Sequence, residues 1–223
     1  MSLIFADRQE AGRMLADLVA QQLAADPAHG KPLVLALPRG GVPVAVPVAE
    51  RIGGDLDVII VRKIGAPGRP ELGVGAIAEE GPPVFDEAAL RYLGLTEDDL
   101  AATVEEERAE LNRRVRRYRG DRPTPKATDR TVVVVDDGLA TGVTAYAALR
   151  WLRGQQPRRL ILAVPVCSRQ AYDALAEIAD MVLCLQAPQD FVAVGHWYTD
   201  FQQLTDADVG KALAKHQQAA LGS

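Results

Sequence analysis

The fifteen residues from Thr131 to Ala145 constrain this chain more than any others. Val132, Val133, Val134 and Val135 follow Thr131 without interruption. β-Branched side chains favour a pleated strand, and a short continuous apolar run reads as a strand buried on both faces. Asp136 and Asp137 end it. A turn rich in glycine and hydroxyl groups follows, Gly138-Leu139-Ala140-Thr141-Gly142-Val143-Thr144, and Ala145 to Arg153 reads as a helix. A strand, turn and helix in this order aim backbone N–H groups and the positive end of a helix at one point, which suits a phosphate. The paired carboxylates beside it suit neutral hydroxyls or a cation. A metal-bound sugar phosphate offers a phosphate, a vicinal diol and a cation together. An isolated Asp-Asp pair is often only a solvated turn; the spacing of acids, glycines and hydroxyls makes a site the better reading here.

Bulk properties narrow the class. With 223 residues, 48% hydrophobic and 25% charged, the chain is long enough for one well-buried domain of ordinary globular composition. A single domain over 1–223 is expected. The net charge of −5 gives no overall basic footprint for nucleic acid, and Arg113 to Arg119 is the only local basic patch. No apolar stretch approaches the roughly 18 residues a membrane helix needs. Met1 to Arg8 lacks a basic segment followed by an apolar one, so no signal peptide and a cytoplasmic location are expected. Cys167 and Cys184 fall on separate expected strands without metal-ligand spacing and read as reduced core residues. His29 and His216 read as surface residues, and His196 as a solvent-facing or satisfied core residue.

Along the chain, Arg8 to Ala24 has apolar residues at helical spacing. Leu33–Leu37 reads as a strand, 43–52 as a helix and Asp57–Val61 as a second buried strand. Arg62 to Pro83, rich in glycine and proline, reads as a long loop of the kind that is usually functional or mobile. Asp86 to Arg119 reads as helical, acidic early and basic late, in line with the helix dipole. Gly120–Asp129 is a linker. Strand 160–166, helix 170–178, strand 181–185 and a last helix from about 206 to 218 complete the pattern. Strands alternating with helices predict a three-layer α/β/α fold with a mainly parallel sheet, a core over about 31–187, a helical insert over about 86–119, and a small hood over about 188–205 followed by the terminal helix. Ligands of such sheets sit beyond the carboxyl ends of the strands, where strand order switches.

Two further turns follow expected strands. Pro38-Arg39-Gly40-Gly41 combines a planar multi-donor with glycines that permit close backbone approach; alone it would be merely a tight turn. The segment from Arg62 through Lys63 to Gly75 is basic and glycine-rich. Its Gly73-Val74-Gly75-Ala76-Ile77-Ala78 matches the spacing of a dinucleotide fingerprint, but no strong strand precedes it and Glu79-Glu80-Gly81-Pro82-Pro83 stops any helix after it. The central turn also lacks the Gly-Lys pair of a P-loop. Phe191 to Phe201 concentrates aromatic residues, which suits either a base-covering segment or a plain hydrophobic closure.

The central run resembles the signature of type I phosphoribosyltransferases, in which an apolar strand, two acids and a loop ending in Thr-Gly-x-Thr bind phosphoribosyl pyrophosphate (PRPP). The resemblance spans roughly 33–201 and is closest to bacterial predicted phosphoribosyltransferases of unsettled substrate. It implies Mg²⁺-dependent transfer of the 5-phosphoribosyl group from PRPP to a nucleobase-like nitrogen, releasing pyrophosphate. By that resemblance Asp136 and Asp137 hold the ribose hydroxyls, and Gly138 and Ala140, Thr141, Gly142, Val143 and Thr144 cradle the 5′-phosphate. Arg39, Gly40 and Gly41 form the pyrophosphate loop, with a strained peptide bond expected around 37–40. Lys63, Arg39 and Asp137 act in catalysis, Lys63 from a mobile loop. Phe191 or Val192, with Arg169, meet the base, and Asp136 and Asp200 bind metal. Ala140 stands where 6-oxopurine enzymes commonly carry aspartate, which weakens hypoxanthine and guanine as acceptors. The insert, absent from compact relatives, reads as a dimer arm, a lid or a partner-binding element, and a homodimer is expected. A PRPP-sensing regulator without turnover is the rival reading; hydrolysis or phosphorolysis of a nucleotide is a weaker third.

Overall fold

The computed structural model describes residues 3–25 and 30–221, with side chains described through His216. In chain order the elements are α1 (Arg8–Ala24), β1 (Leu33–Ala36), α2 (Gly41–Ile52), β2 (Asp55–Val58), β3 (Val61–Ala66), β4 (Arg69–Ala78), β5 (Val84–Phe85), α3 (Glu87–Leu93), α4 (Ala101–Arg119), β6 (Thr131–Val135), α5 (Val143–Gly154), β7 (Arg159–Val166), α6 (Arg169–Ala176), β8 (Met181–Gln186) and α7 (Asp206–Leu221). Single 3-10 turns lie at Asp98–Leu100 and Val194–Trp197.

Five strands form one parallel sheet in the order β2-β1-β6-β7-β8. Alternate residues of the valine run serve opposite faces. Val133 and Val135 join Val34, Ala36, Ile161 and Ala163 in a core against α1, α2, α4 and α7, whereas Val132 and Val134 join Leu33, Leu35, Leu160 and Leu162 against α5 and α6. All five residues of β6 are buried, as a strand covered on both faces requires. This is the expected three-layer α/β/α arrangement.

One expectation about the middle of the chain needs correction and another gains detail. Arg62–Pro83 is not a loop: β3 and β4 pair as an antiparallel hairpin, and β5 adds a third strand. The glycines that suggest a loop are there because another backbone lies against them. A Cβ on Gly65 would come within 2.5 Å of the Pro70 carbonyl oxygen, and one on Gly75 within 2.6 Å of that of Val84. The segment 86–119 is helical as expected, but divided into two helices, α3 and α4. Gly94, at φ 65°, closes α3, and Asp86 caps its start by accepting from Ala88 and Ala89 N–H. Nor is α4 a free arm. Val104, Leu111, Tyr118 and Arg119 are buried, and Arg62 of β3 pairs with Glu107 at 2.6 Å.

Of the histidine expectations, the one for His216 shifts. His216 is buried, 9% exposed, and its Nδ1 has no hydrogen-bond partner. His196 is exposed, and His29 lies outside the described residues. The thiols of Cys167 and Cys184 are free but adjacent, with Sγ atoms 3.1 Å apart. Among the described residues no helix is long and apolar enough to cross a membrane.

Candidate active site

The sheet order fixes where a ligand can sit. From β1 the chain crosses to β2 on one side and later returns to β6 on the other, so strand order switches between β1 and β6. The turns leaving those two strands lie side by side beyond their carboxyl ends. Leu37 N–H donates to the Val135 carbonyl at 2.8 Å, which extends the pairing past the last formal strand residue. The peptide bond between Pro38 and Arg39 is cis, within the stretch where an unusual bond is expected.

Gly40 and Gly41 let these turns touch. A Cβ on Gly40 would stand 2.0 Å from Asp137 Oδ2, and one on Gly41 2.5 Å from the Val135 carbonyl oxygen. No side chain fits at position 40 while Asp137 keeps its place. Thus the glycine pair and the acidic pair, nearly a hundred residues apart in sequence, form one constellation.

The two carboxylates differ in their partners. Asp136 accepts from the Asp137 backbone N–H at 2.8 Å. Asp137 Oδ2 accepts from Arg8 Nε at 2.8 Å, with side chains only 11% and 13% exposed. Burial, then the charge of Asp137, pushes the Asp136 carboxyl well above the usual carboxylate range. Burial also pushes Asp137 up, against the lowering effect of Arg8. Two enclosed acids lie beside one arginine, an arrangement whose carboxyl oxygens suit hydroxyl donors or a cation.

Arg8 escapes the sequence reading, and nothing local could have revealed it, because its partner is 129 residues away. Its guanidinium also lies 3.9 Å from the centroid of the Phe201 ring and donates to the Gln202 carbonyl. The N-terminal segment is laced to the hood: Phe5 and Tyr198 form a parallel bridge, Thr199 N–H donates to the Phe5 carbonyl, and Asp200 N–H to that of Ala6. Tyr198 donates its hydroxyl to the Asp137 backbone carbonyl. The aromatic concentration at Phe191–Phe201 therefore does two jobs. Trp197 and Tyr198 pack inward with Phe5, and Tyr198 and Phe201 buttress the acidic pair.

Beyond the acids, the turn to α5 is bare and open. Ala140 and Thr141 are exposed, Val143 and Thr144 half-buried. Gly142, with φ 73°, precedes the first residue of α5, and Leu175 Cδ1 lies 3.0 Å from where its Cβ would be, so glycine is required. Gly138 is buried beneath Val194 of the hood. Ser168 steadies the turn from below, donating to the Ala140 carbonyl at 2.6 Å while capping α6 through Ala171 N–H. A cavity of about 370 Å³ opens beside Thr141, Gly142 and Val143, walled by Tyr146, Phe85 and Gly75.

The remaining expected residues lie around this core. Arg39 is half-exposed on its loop. Lys63 is exposed on β3 opposite Ala76, within a hairpin whose register shifts just beyond it at Gly65, rather than in a free loop. Phe191 stacks on Trp197, with centroids 6.5 Å apart and planes 22° apart, and Val192 is 73% exposed. Arg169 is exposed, paired to Asp173 on its own helix and lying over Tyr172. Asp200 is exposed, its carboxylate accepting from Gln202 N–H. Among the described residues no three His, Cys, Asp or Glu side chains gather as a metal cluster.

Comparison with known proteins identifies the family. Residues 6–201 match the family described as the phosphoribosyl transferase domain. The chain belongs to that family. Two proteins from strains of Mycobacterium tuberculosis, each named "Putative phosphoribosyl transferase", are 42% identical over 207 residues, 92% of this chain. The chain spans 45% of the length of those relatives. A crystal structure of a Thermus thermophilus protein is 45% identical with a TM-score of 0.80, covering 96% of this chain and 99% of that one. A hypothetical protein from Neisseria gonorrhoeae, solved with bound ppGpp, shares the fold at 12% identity and a TM-score of 0.51, with 99% and 97% of the two chains covered.

Proposed function

We propose that this phosphoribosyl transferase domain transfers the 5-phosphoribosyl group of PRPP to a nitrogen of a nucleobase-like acceptor, releasing pyrophosphate. The observation that carries this reading is the acidic pair: two half-buried carboxylates with one arginine, closed in by Gly40 and Gly41 and set beside the open 140–144 turn. Asp136 and Asp137 would receive the ribose 2′- and 3′-hydroxyls. Backbone N–H groups of the turn and the start of α5 would hold the 5′-phosphate. Arg39, and Lys63 on its hairpin, would draw negative charge from the departing pyrophosphate.

The donor set fits a magnesium ion, which takes one or two carboxylates and completes its shell with substrate oxygens and water. Asp136 would hold it, and Asp200 would be the outer ligand of a second; bound there, magnesium neutralises pyrophosphate charge. Transfer of this kind passes through a ribosyl cation-like state, so the protein's contribution is positioning and charge compensation. Phe191, Val192 and Arg169 are the candidate contacts for the acceptor base. Intracellular action as a homodimer and a single folded domain belong to the same proposal.

Pyrophosphate release from Mg-PRPP, assayed against adenine, hypoxanthine, guanine, xanthine, uracil and orotate, tests it. Release with at least one base is expected, and Asp136→Asn with Asp137→Asn should lower kcat/KM by ~10²-fold or more with the fold intact. A folded double mutant with unchanged turnover would remove the acidic pair from the mechanism. PRPP binding without release with any base would instead favour a sensor, the reading the tethered insert leaves open.

A further inference from the structure

One charge cluster ties the Arg39 turn of this site to the helical insert. Arg39 from the β1–α2 turn, Arg117 and Tyr118 from the last turn of α4, and Asp206 at the start of α7 converge on one point. Tyr118 donates its hydroxyl to Asp206 Oδ1. Arg117 Nε lies 3.0 Å from Asp206 Oδ2, and Arg39 Nη1 lies 4.0 Å from Oδ1. Arg39 and Arg117 remain 43% and 52% exposed, while Asp206 is 25% exposed. The Tyr118 hydrogen bond, then Arg117 and Arg39, hold the Asp206 carboxyl below its usual range.

Two features argue that this cluster is more than a structural tie. The charges do not cancel, since two arginines face one carboxylate. Arg39 is also held only at the outer limit of an ion pair, so its planar donors are free for another anion. A carboxylate wedged between two guanidinium groups occupies the kind of space a terminal phosphate group takes, and guanidinium forks bind phosphate oxygens in pairs. Three other arginines of α4 are already engaged: Arg113 and Arg114 both clasp Glu110, and Arg119 is buried on Glu79.

We propose that Arg117, brought in by the insert, joins Arg39 in binding a diphosphate group, and that Asp206 is a built-in counter-ion that the incoming diphosphate displaces. This rests on the transferase reading and assigns the insert a place in its site. The diphosphate would come either from the PRPP donor or from free pyrophosphate as product.

Calorimetric titration of the full chain with magnesium pyrophosphate, PRPP and ribose 5-phosphate tests this. Arg117→Ala should weaken pyrophosphate binding about tenfold, and Asp206→Asn, by removing the competing charge while leaving an acceptor for Tyr118, should strengthen it about threefold. Arg117→Lys should fall between Arg117→Ala and the unaltered protein. Ribose 5-phosphate, which lacks the diphosphate, should bind all variants equally. A matching loss for PRPP would place the donor in this subsite, and a loss for pyrophosphate alone would restrict it to product. Pyrophosphate affinity unchanged in both Arg117→Ala and Asp206→Asn would overturn the proposal while ribose 5-phosphate binding keeps the transferase reading alive. Failure of all three ligands to bind would overturn both.

Discussion

Two enclosed charge clusters, one half-buried and one fully buried, stand on one side of this molecule's function and the other, and they are built differently. Near the amino-terminal part of α1, Asp136 and Asp137 share Arg8, and burial raises both carboxyls. Under α4, Asp57 and Glu79 face two arginines. Arg119 contacts Glu79 at 3.0 Å, Asp57 at 3.6 Å and the Val58 carbonyl at 2.8 Å, and Arg122 lies 3.5 Å from Asp57. Each of these acids also accepts a backbone N–H, from Val58 and from Ile60. The second cluster balances its charge, with only Arg119 Nε left without a hydrogen bond, so it clamps α4 onto β2 and the hairpin. The first does not balance, and its deficit is what a diol and a cation would fill. Incomplete compensation, rather than burial or acidity, separates the candidate site from the clamp.

Breaking the clamp should produce the largest effect. Arg119→Ala leaves Glu79 buried without its partner and should lower stability by about 3–5 kcal/mol, read from denaturant or thermal unfolding. A loss below about 1 kcal/mol would mean that the second cluster is not a clamp and the contrast fails.

Gly40→Ala strikes the other cluster without altering a charge. Its Cβ must displace Asp137 or the turn. PRPP affinity should fall about tenfold or more while the unfolding midpoint moves little. Equal losses in affinity and stability would make position 40 a folding constraint only.

Asp136→Asn sharpens the comparison through pH. A carboxyl raised by burial keeps its proton in the folded chain at pH values where the unfolded chain has released it. Stability therefore falls as pH rises from the ordinary carboxylate range through the raised value. Asparagine still accepts the Asp137 N–H, so the variant should be more stable than the unaltered protein at neutral pH and should lose that slope. A steeper slope in the variant would reverse the assignment. The smallest effect belongs to the exposed pairs on α4: Arg113→Ala should change stability by less than about 1 kcal/mol, because Glu110 keeps Arg114.

What the sequence makes legible follows from the range of the forces involved. The parallel strands stand out because burial on both faces demands unbroken apolar runs, as in β6. The acidic turn and the Arg39 turn stand out because a phosphate site needs glycine and hydroxyl groups at fixed local spacing. The β3–β4 hairpin is hidden, since its glycines answer to backbones brought close by pairing and imitate a loop. Arg8 and Asp206 are hidden for another reason. Their partners, Asp137 and Arg117, come from distant segments, and neither residue sits in a pattern of its own. His216 looks like a surface residue for the same reason: what buries it lies outside its own helix.

The most direct test is calorimetric binding of Mg-PRPP to the intact protein and to Asp136→Asn combined with Asp137→Asn. The account predicts magnesium-dependent binding that falls by ~10²-fold or more in a double mutant that still unfolds cooperatively. Undiminished PRPP affinity in a folded double mutant would show that the unbalanced acidic pair does not recognise the ligand, and the central claim would fall.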